Sequence, residues 1–287
     1  MQEHTGRVVV IGAGTMGQGI AHMSALSGYD TTLVDMAAEP LENGLTAIRR
    51  NLEQGVIKGK VTALDRDTAL ARLHGSLDLD SAVKDADIVI EAVPENLTLK
   101  QRIFERLDAS ASRTALLGTN TSSLPVSEIA AGTRQPERVA GLHFFNPVHI
   151  MELLEIVRGE RTSDACIASA KAFGTRLGKT CIVVKDVPGF ATSRLGLALG
   201  LEAMRMLEDG VATAEDIDTA MTLGYRHPIG PLKLTDLGGL DVRLAIAEHL
   251  AGTLGDRFQP PPILRKLVSE GKLGKKAGRG FYDWPHS

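Results

Sequence analysis

Two side chains of this 287-residue chain have the types and the spacing for acid–base work. His143 lies in Gly141-Leu142-His143-Phe144-Phe145-Asn146-Pro147, and Glu155 lies twelve positions later in Leu153-Leu154-Glu155-Ile156-Val157. An imidazole titrates near neutrality and can take the proton of an alcohol while its carbon is oxidised. A carboxylate on the second ring nitrogen fixes the tautomer and stabilises the imidazolium that forms. Taken alone, a histidine among aromatics is more often a satisfied core residue. Glu155 tips that balance, because a carboxylate among Leu153, Leu154, Ile156 and Val157 is expensive to bury unless something pairs with it. A polar run, Gly118 to Ser123 (GTNTSS), offers Asn120, Ser122 and Ser123 as donors to a substrate oxygen; the same run also reads as a hydrogen-bonded turn ahead of Pro125.

A second constellation is Gly12-Ala13-Gly14-Thr15-Met16-Gly17, which fits G-x-G-x-x-G. It follows the apolar run Val8 to Ile11 and opens a small-residue helical stretch, so its glycines can make a tight turn, admit a pyrophosphate and seat the helix on the strand. The positive end of the helix dipole then faces the phosphates. Asp35 follows Gly17 by 18 positions, near the spacing at which an acid accepts from both ribose hydroxyls. It would repel a 2′-phosphate, and Met36 to Ala38 supply no cation to hold one, so NAD is favoured over NADP.

The elements that must position these groups follow a βαβ rhythm, which predicts a parallel α/β sheet with ligands at the carboxyl ends of its strands. Strands are expected at Arg7 to Ile11, Thr31 to Asp35, Asp87 to Val93, Ala115 to Thr119, Val139 to Phe145, Met151 to Val157 and Thr180 to Val184. The fifth and sixth of these, joined at Asn146-Pro147, could bring His143 and Glu155 side by side. The crossover from Glu39 to Leu73 is longer than an ordinary one and reads as two helices parted near Gly55 to Lys60. After Lys185-Asp186-Val187-Pro188-Gly189 the pattern turns helical: Phe190 to Glu208, a helix capped at Thr213, Leu240 to Leu254 and a short one after Pro262. This predicts two domains, 1–186 and 187–287.

Composition excludes other classes. A net charge of −3, with 43% hydrophobic and 23% charged residues, describes a globular chain with no overall attraction to nucleic acid. Cys166 and Cys181 are too few for a disulfide framework, and no run approaches the ~20 apolar residues of a membrane span. With no signal-peptide layout ahead of Arg7, a cytoplasmic protein is expected. No metal site is read.

The segments VIGAGTMGQGIA, EAVPENLTLK, NTSSLPVSEIA, GLHFFNPVHIMELLEIV, KDVPGF, EDIDTAM, HPIGPLKLTDLGGLD and GKKAGRGFYDW resemble, end to end, the short-chain L-3-hydroxyacyl-CoA dehydrogenases, including bacterial 3-hydroxybutyryl-CoA dehydrogenases. The resemblance implies a Rossmann-type NAD-binding domain followed by an all-α C-terminal substrate and dimerisation domain, with the active site in the cleft between them. It implies His143 as the catalytic base with Glu155 as its partner, Ser122 on the 3-hydroxyl or keto oxygen, and Asn146 beside nicotinamide and substrate. Glu95, Lys100 and Lys276 match NAD-contacting positions, and Asn51 and Lys58 match positions that contact the CoA part of an acyl-CoA substrate. Without the resemblance, Lys58 and Lys60 read equally well as a solvated basic face. A homodimer is implied, with Leu195, Leu199, Met206, Leu244 and Leu250 on apolar faces that would serve either an interface or an internal core. One departure stands out: the family pattern PGFxxNR here reads Pro188-Gly189-Phe190-Ala191-Thr192-Ser193-Arg194, placing the shorter Ser193 where an asparagine orients the acyl part. That keeps open a related dehydrogenase acting on a small free hydroxy acid, of carnitine or gulonate type. A non-catalytic NAD-binding relative would keep the glycine loop without the His and Glu, and a 6-phosphogluconate-type enzyme would need a lysine base absent between Asp186 and Lys233.

Overall fold

The computed structural model describes residues 6–285; residues 1–5 and 286–287, at the two ends of the expected domains, lie outside the described residues. The chain divides into two compact units between Asp186 and Val187.

The first unit is built on eight strands: β1 (Arg7–Ile11), β2 (Asp30–Val34), β3 (Leu73–Ser76), β4 (Ile88–Glu91), β5 (Leu116–Thr119), β6 (Val139–Phe144), β7 (Leu153–Arg158) and β8 (Thr180–Lys185). They form one sheet in the order β3-β2-β1-β4-β5-β6-β7-β8. Every neighbouring pair is parallel except β6 and β7, which run antiparallel. The crossovers are α1 (Thr15–Leu26), α2 (Ala38–Ile57), α3 (Ala63–Ala71), α4 (Leu79–Val83), α5 (Leu97–Ser110), α6 (Val126–Ala130) and α7 (Asp164–Arg176). Strands β1 and β4 to β6 are buried along nearly their whole length, as unalternating apolar runs in a sheet covered on both faces must be. This is the Rossmann-type α/β architecture expected from the sequence.

Strand β3 and helix α4 were not anticipated. β3 reads Leu-His-Gly-Ser, pairs only with β2 at the sheet edge and is nowhere fully buried, so it carries neither an apolar run nor a clean alternation. α4 is a single short turn capped by Asp78, whose side chain accepts from the Ser81 amide.

The second unit is helical: α8 (Thr192–Glu208), α9 (Ala214–Thr219), α10 (Pro231–Gly238), α11 (Leu240–Leu254) and α12 (Pro262–Ser269). Thr213 caps α9 by accepting from the Asp216 amide, as its T-x-x-D pattern predicts. α10 was not anticipated: it is only eight residues long and lies between Gly230 and Gly239. Proline at the first helical position in fact starts it. Leu197, Leu201, Met204, Leu232, Leu240 and Leu250 form the core, with Met206 and Leu244 packed against it. Of the five apolar residues weighed for an interface, those three are therefore spent within the unit, while Leu195 and Leu199 stand 65% and 44% exposed. The buried Asp236 carboxylate accepts from the amides of Phe281 and Tyr282 and from the Trp284 indole, which ties the C-terminal tail to α10.

Candidate active site

The antiparallel register sets His143 of β6 directly opposite Glu155 of β7. His143 Nδ1 lies 2.8 Å from Glu155 Oε2, and the two residues are 6% and 0% exposed. With the carboxylate ionised, Nδ1 carries the proton and donates it, which leaves the lone pair on Nε2. The Phe145 ring stands 4.4 Å from the imidazole, centroid to centroid. The next residue, Asn146, is exposed at the head of the β6–β7 connection and enters Pro147 through a cis peptide bond.

The underside of that connection is fixed by groups the sequence reading passed over. Buried Lys179, at the end of α7, donates to the carbonyls of Val148 and Met151 at 2.5 and 2.7 Å. Gly19 of α1 lets Val148 approach closely: a Cβ there would stand 2.8 Å from its side chain. Buried His22 of α1 stacks on His149 at 5.6 Å between centroids. Neither ring nitrogen of His22 has a hydrogen-bond partner, and burial, then the charge of His149, depress its pKa to about 4. The group therefore stays neutral in the fold while the unfolded chain binds its proton near pH 6.5, so stability falls as pH drops from about 6.5 to about 4. His22→Leu should remove a loss of about 2 kcal/mol between pH 7 and pH 5, read from urea midpoints at the two pH values. A variant with the same acid sensitivity as the parent would contradict this.

The polar run after β5 is organised by Glu95. Its Oε1 accepts from the Thr121 hydroxyl at 2.6 Å, from the amides of Ser122 and Ser123 at 3.0 and 3.1 Å, and from the Ser123 hydroxyl at 3.1 Å. Burial pushes the Glu95 carboxyl upward, but the Thr121 hydroxyl, the Lys100 ammonium and the serine donors outweigh it and hold the group below the usual carboxylate range. Asn120 Oδ1 accepts from the Phe144 amide at 2.9 Å, which fixes the orientation of the side chain and locks the end of β5 to the strand of His143. Ser122 remains exposed at the carboxyl end of β5.

Lys100 lies in the interior beside Glu95. It has no exposed surface; its ammonium lies 2.6 Å from Glu91 Oε1 and 3.4 Å from Glu95 Oε2, and donates to the Val93 carbonyl. The ammonium thus ties Glu95 to the buried Glu91 beneath the carboxyl ends of β4 and β5. Its burial was legible in α5, where Lys100, Phe104 and Leu107 share one face at helical spacing.

The glycine loop shows why each glycine is needed. Gly12 has φ +98°, and a Cβ there would stand 2.8 Å from the Ala92 carbonyl oxygen; at Gly17 it would fall 1.7 Å from the Gly12 carbonyl oxygen. At Gly14 a Cβ would meet nothing within 4 Å. Gly17→Ala should thus cost 1–3 kcal/mol or more by forcing the backbone apart, while Gly14→Ala leaves the thermal midpoint unchanged and weakens only NADH binding. Thermal unfolding and NADH titration of the pair check this.

Ala13 donates its amide to Asp35 Oδ2 at 2.9 Å, and Ala37 donates to Oδ1 at 3.2 Å. Gly12, Gly14, Thr15, Met16 and Asp35 line one cavity of about 830 Å³ that continues past Leu77 and Leu79 to Arg102 and Arg106. Its size suits a nucleotide, and the empty space over Gly14 is where backbone amides can meet a pyrophosphate. Arg106 is committed to Asp80 through two hydrogen bonds of 2.8 Å. Arg102 is a cation at this cavity that the reading of Met36 to Ala38 did not include.

Asn51 lies half-buried on α2 and Lys58 exposed just beyond it, near enough to His149 to help depress its pKa after burial and Lys179. In the second unit Ser193 sits partly exposed in the first turn of α8. Lys276 is held 2.7 Å from Asp241 Oδ2, beside Gly239. Among the described residues no helix is long and apolar enough to cross a membrane.

Comparison with known proteins gives the following. Residues 7–187 match the family model described as 3-hydroxyacyl-CoA dehydrogenase, NAD binding domain, and residues 189–284 match 3-hydroxyacyl-CoA dehydrogenase, C-terminal domain. A probable 3-hydroxybutyryl-CoA dehydrogenase of Bacillus subtilis is 44% identical over 279 residues, 97% of each chain. The crystal structure of FadB2 from M. tuberculosis is 43% identical with a TM-score of 0.92, covering 99% of this chain and 100% of that one. That of the (S)-3-hydroxybutyryl-CoA dehydrogenase PaaH1 from Ralstonia eutropha is 40% identical with a TM-score of 0.93, covering 98% and 99%.

Proposed function

The chain belongs to the 3-hydroxyacyl-CoA dehydrogenase family, an NAD-dependent one, and from that premise we propose that it interconverts (S)-3-hydroxyacyl-CoA and 3-oxoacyl-CoA with His143 as general base. The observation that carries the reading is the buried 2.8 Å contact between His143 and Glu155. NAD, when bound, takes up the hydride that leaves C3 of the substrate. Gly12, Ala13, Gly14, Thr15, Met16 and Gly17 would hold its pyrophosphate and Asp35 its ribose, with Glu95, Ser122, Asn146 and Lys276 as further contacts. His143 removes the hydroxyl proton at Nε2, and Glu155 steadies the imidazolium without itself taking the proton. Ser122 donates to the oxygen at C3 and keeps it in line with the imidazole. Asn51 and Lys58 would meet the CoA part, and Ser193 the acyl part. Exposed Ser122, held at its amide by Glu95, supports this division of work. The enzyme is further read as a cytoplasmic homodimer, with the exposed Leu195 and Leu199 on the contact face.

The test is a steady-state panel of 3-oxoacyl-CoA chain lengths and free hydroxy acids, each with NADH and NADPH. Saturation by the thioesters at micromolar levels, with NADH preferred, is expected; turnover of free acids alone would refute the reading. NADPH used as well as NADH would show that Arg102 outweighs Asp35.

A further inference from the structure

We propose that Arg102 is a specificity-determining residue for the cofactor: its guanidinium stacks on the adenine base, which sits between α5 and Met36. The inference rests on NAD occupying the glycine-loop cavity, and it adds the residue that recognises the base.

Helix α5 presents two neighbouring faces. Lys100, Phe104 and Leu107 turn into the fold, whereas Leu99, Arg102, Ile103 and Arg106, at i, i+3, i+4 and i+7, make one stripe, and all four line the cavity. Two members of that stripe are apolar. Arg106 is spent on Asp80, with two bonds of 2.8 Å, and Ser110 donates to the same carboxylate, which fastens α5 to α4. Arg102 is left exposed and makes no ion pair among the described residues. It is a cation without a partner, set at the wall of a nucleotide-sized cavity beside Leu99 and Ile103.

The other wall comes from the far side of β1. In the sheet β1 lies between β2 and β4, so the residues that follow β2, Asp35, Met36 and Pro40, and those that follow β4, Val93, Leu99 and Arg102, border the cavity from opposite sides of the glycine loop. Met36 and Leu77 stand 89% and 55% exposed there, and a ligand that covers them takes apolar surface out of water. With the loop amides on the pyrophosphate and Asp35 on the ribose, the base is the part of the cofactor that these walls receive. Adenine is flat, with weakly hydrated faces rich in π electrons. A planar guanidinium stacks on one such face, and apolar side chains cover the other. A phosphate on the ribose fits the same cation less well, because Asp35 repels it.

The experiment titrates NADH and NADPH into the parent, Arg102→Ala and Arg102→Lys, measures adenosine as a competitor of NADH in each, and records their thermal midpoints. Arg102→Ala should weaken both NADH and adenosine by about 3- to 30-fold, the worth of a cation stacked on an aromatic face. Arg102→Lys keeps the charge and loses the plane, so it should fall between parent and alanine variant. The midpoints should not move, since Arg102 holds nothing else in place. Adenosine carries the base without a phosphate: a loss for NADH with none for adenosine would put Arg102 on the pyrophosphate and overturn the proposal. So would a loss for NADPH larger than that for NADH, which would put it on a 2′-phosphate. A lysine variant that binds as tightly as the parent overturns the stack, because a point charge would then suffice, and a fall in midpoint that tracks the loss of affinity in both variants makes Arg102 structural. Adenosine that fails to compete in the parent overturns the base site outright. These titrations contain no thioester, so their failure is distinct from that of the dehydrogenase reading, which the substrate panel decides.

Discussion

His143→Gln lowers kcat by about 10²–10⁴-fold and leaves NADH affinity within about twofold of the parent, the range expected when a general base is lost. The dinucleotide cavity is lined by the glycine loop, Asp35 and residues of α5, and His143 is not among its lining residues, so binding and chemistry should separate in this variant. Fluorescence titration of NADH measures the binding and single-turnover oxidation of NADH the chemistry. A variant retaining more than about a hundredth of parental kcat would remove His143 from the role of base. Glu155→Gln should be milder. It keeps a hydrogen-bond acceptor near Nδ1 but loses the charge that stabilises the imidazolium, so kcat should fall by less than it does at His143. Equal losses in the two variants would mean that the pair works as one unit.

The legible parts of this molecule are those in which one local pattern decides the outcome. The βαβ rhythm, the glycine loop and the hairpin registering His143 with Glu155 follow from apolar runs, turn residues and the expense of burying a lone acid. What escaped reading depends on partners distant in sequence. Lys179 crosses from the end of α7 to carbonyls of a connection about thirty residues earlier, and no feature of Leu177-Gly178-Lys179 announces it. Strand β3 exists because β2 offers it an edge, not because four half-exposed residues favour extension. Glu95 was expected to touch the cofactor, but its gathering of Thr121, Ser122 and Ser123 from 26 to 28 positions away was beyond any spacing rule.

Lys100 shows what such hidden contacts are worth. The Glu91 carboxylate is fully buried; besides the Lys100 ammonium it accepts from the Val93 amide at 2.8 Å and, through Oε2, from the Thr119 hydroxyl at 2.7 Å. Lys100→Met keeps the length and apolar stem of the side chain but strands this carboxylate without its counter-charge, which should destabilise the first unit by about 3–5 kcal/mol. For a unit of this size that is a fall in thermal midpoint of roughly 6–20 °C. Glu91→Gln in the same variant removes the stranded charge while keeping an acceptor for the Thr119 hydroxyl, so the double variant should recover more than half of the loss. Calorimetry on the two single variants and the double closes the cycle. A double variant no more stable than Lys100→Met would mean that packing of the lysine stem, not the ion pair, carries the energy. The single variant should also disturb the site, since the Lys100 charge is one of the influences holding the Glu95 carboxyl low. Its loss lets that pKa rise, so NADH affinity should weaken on the acidic side of neutrality before it weakens at pH 8.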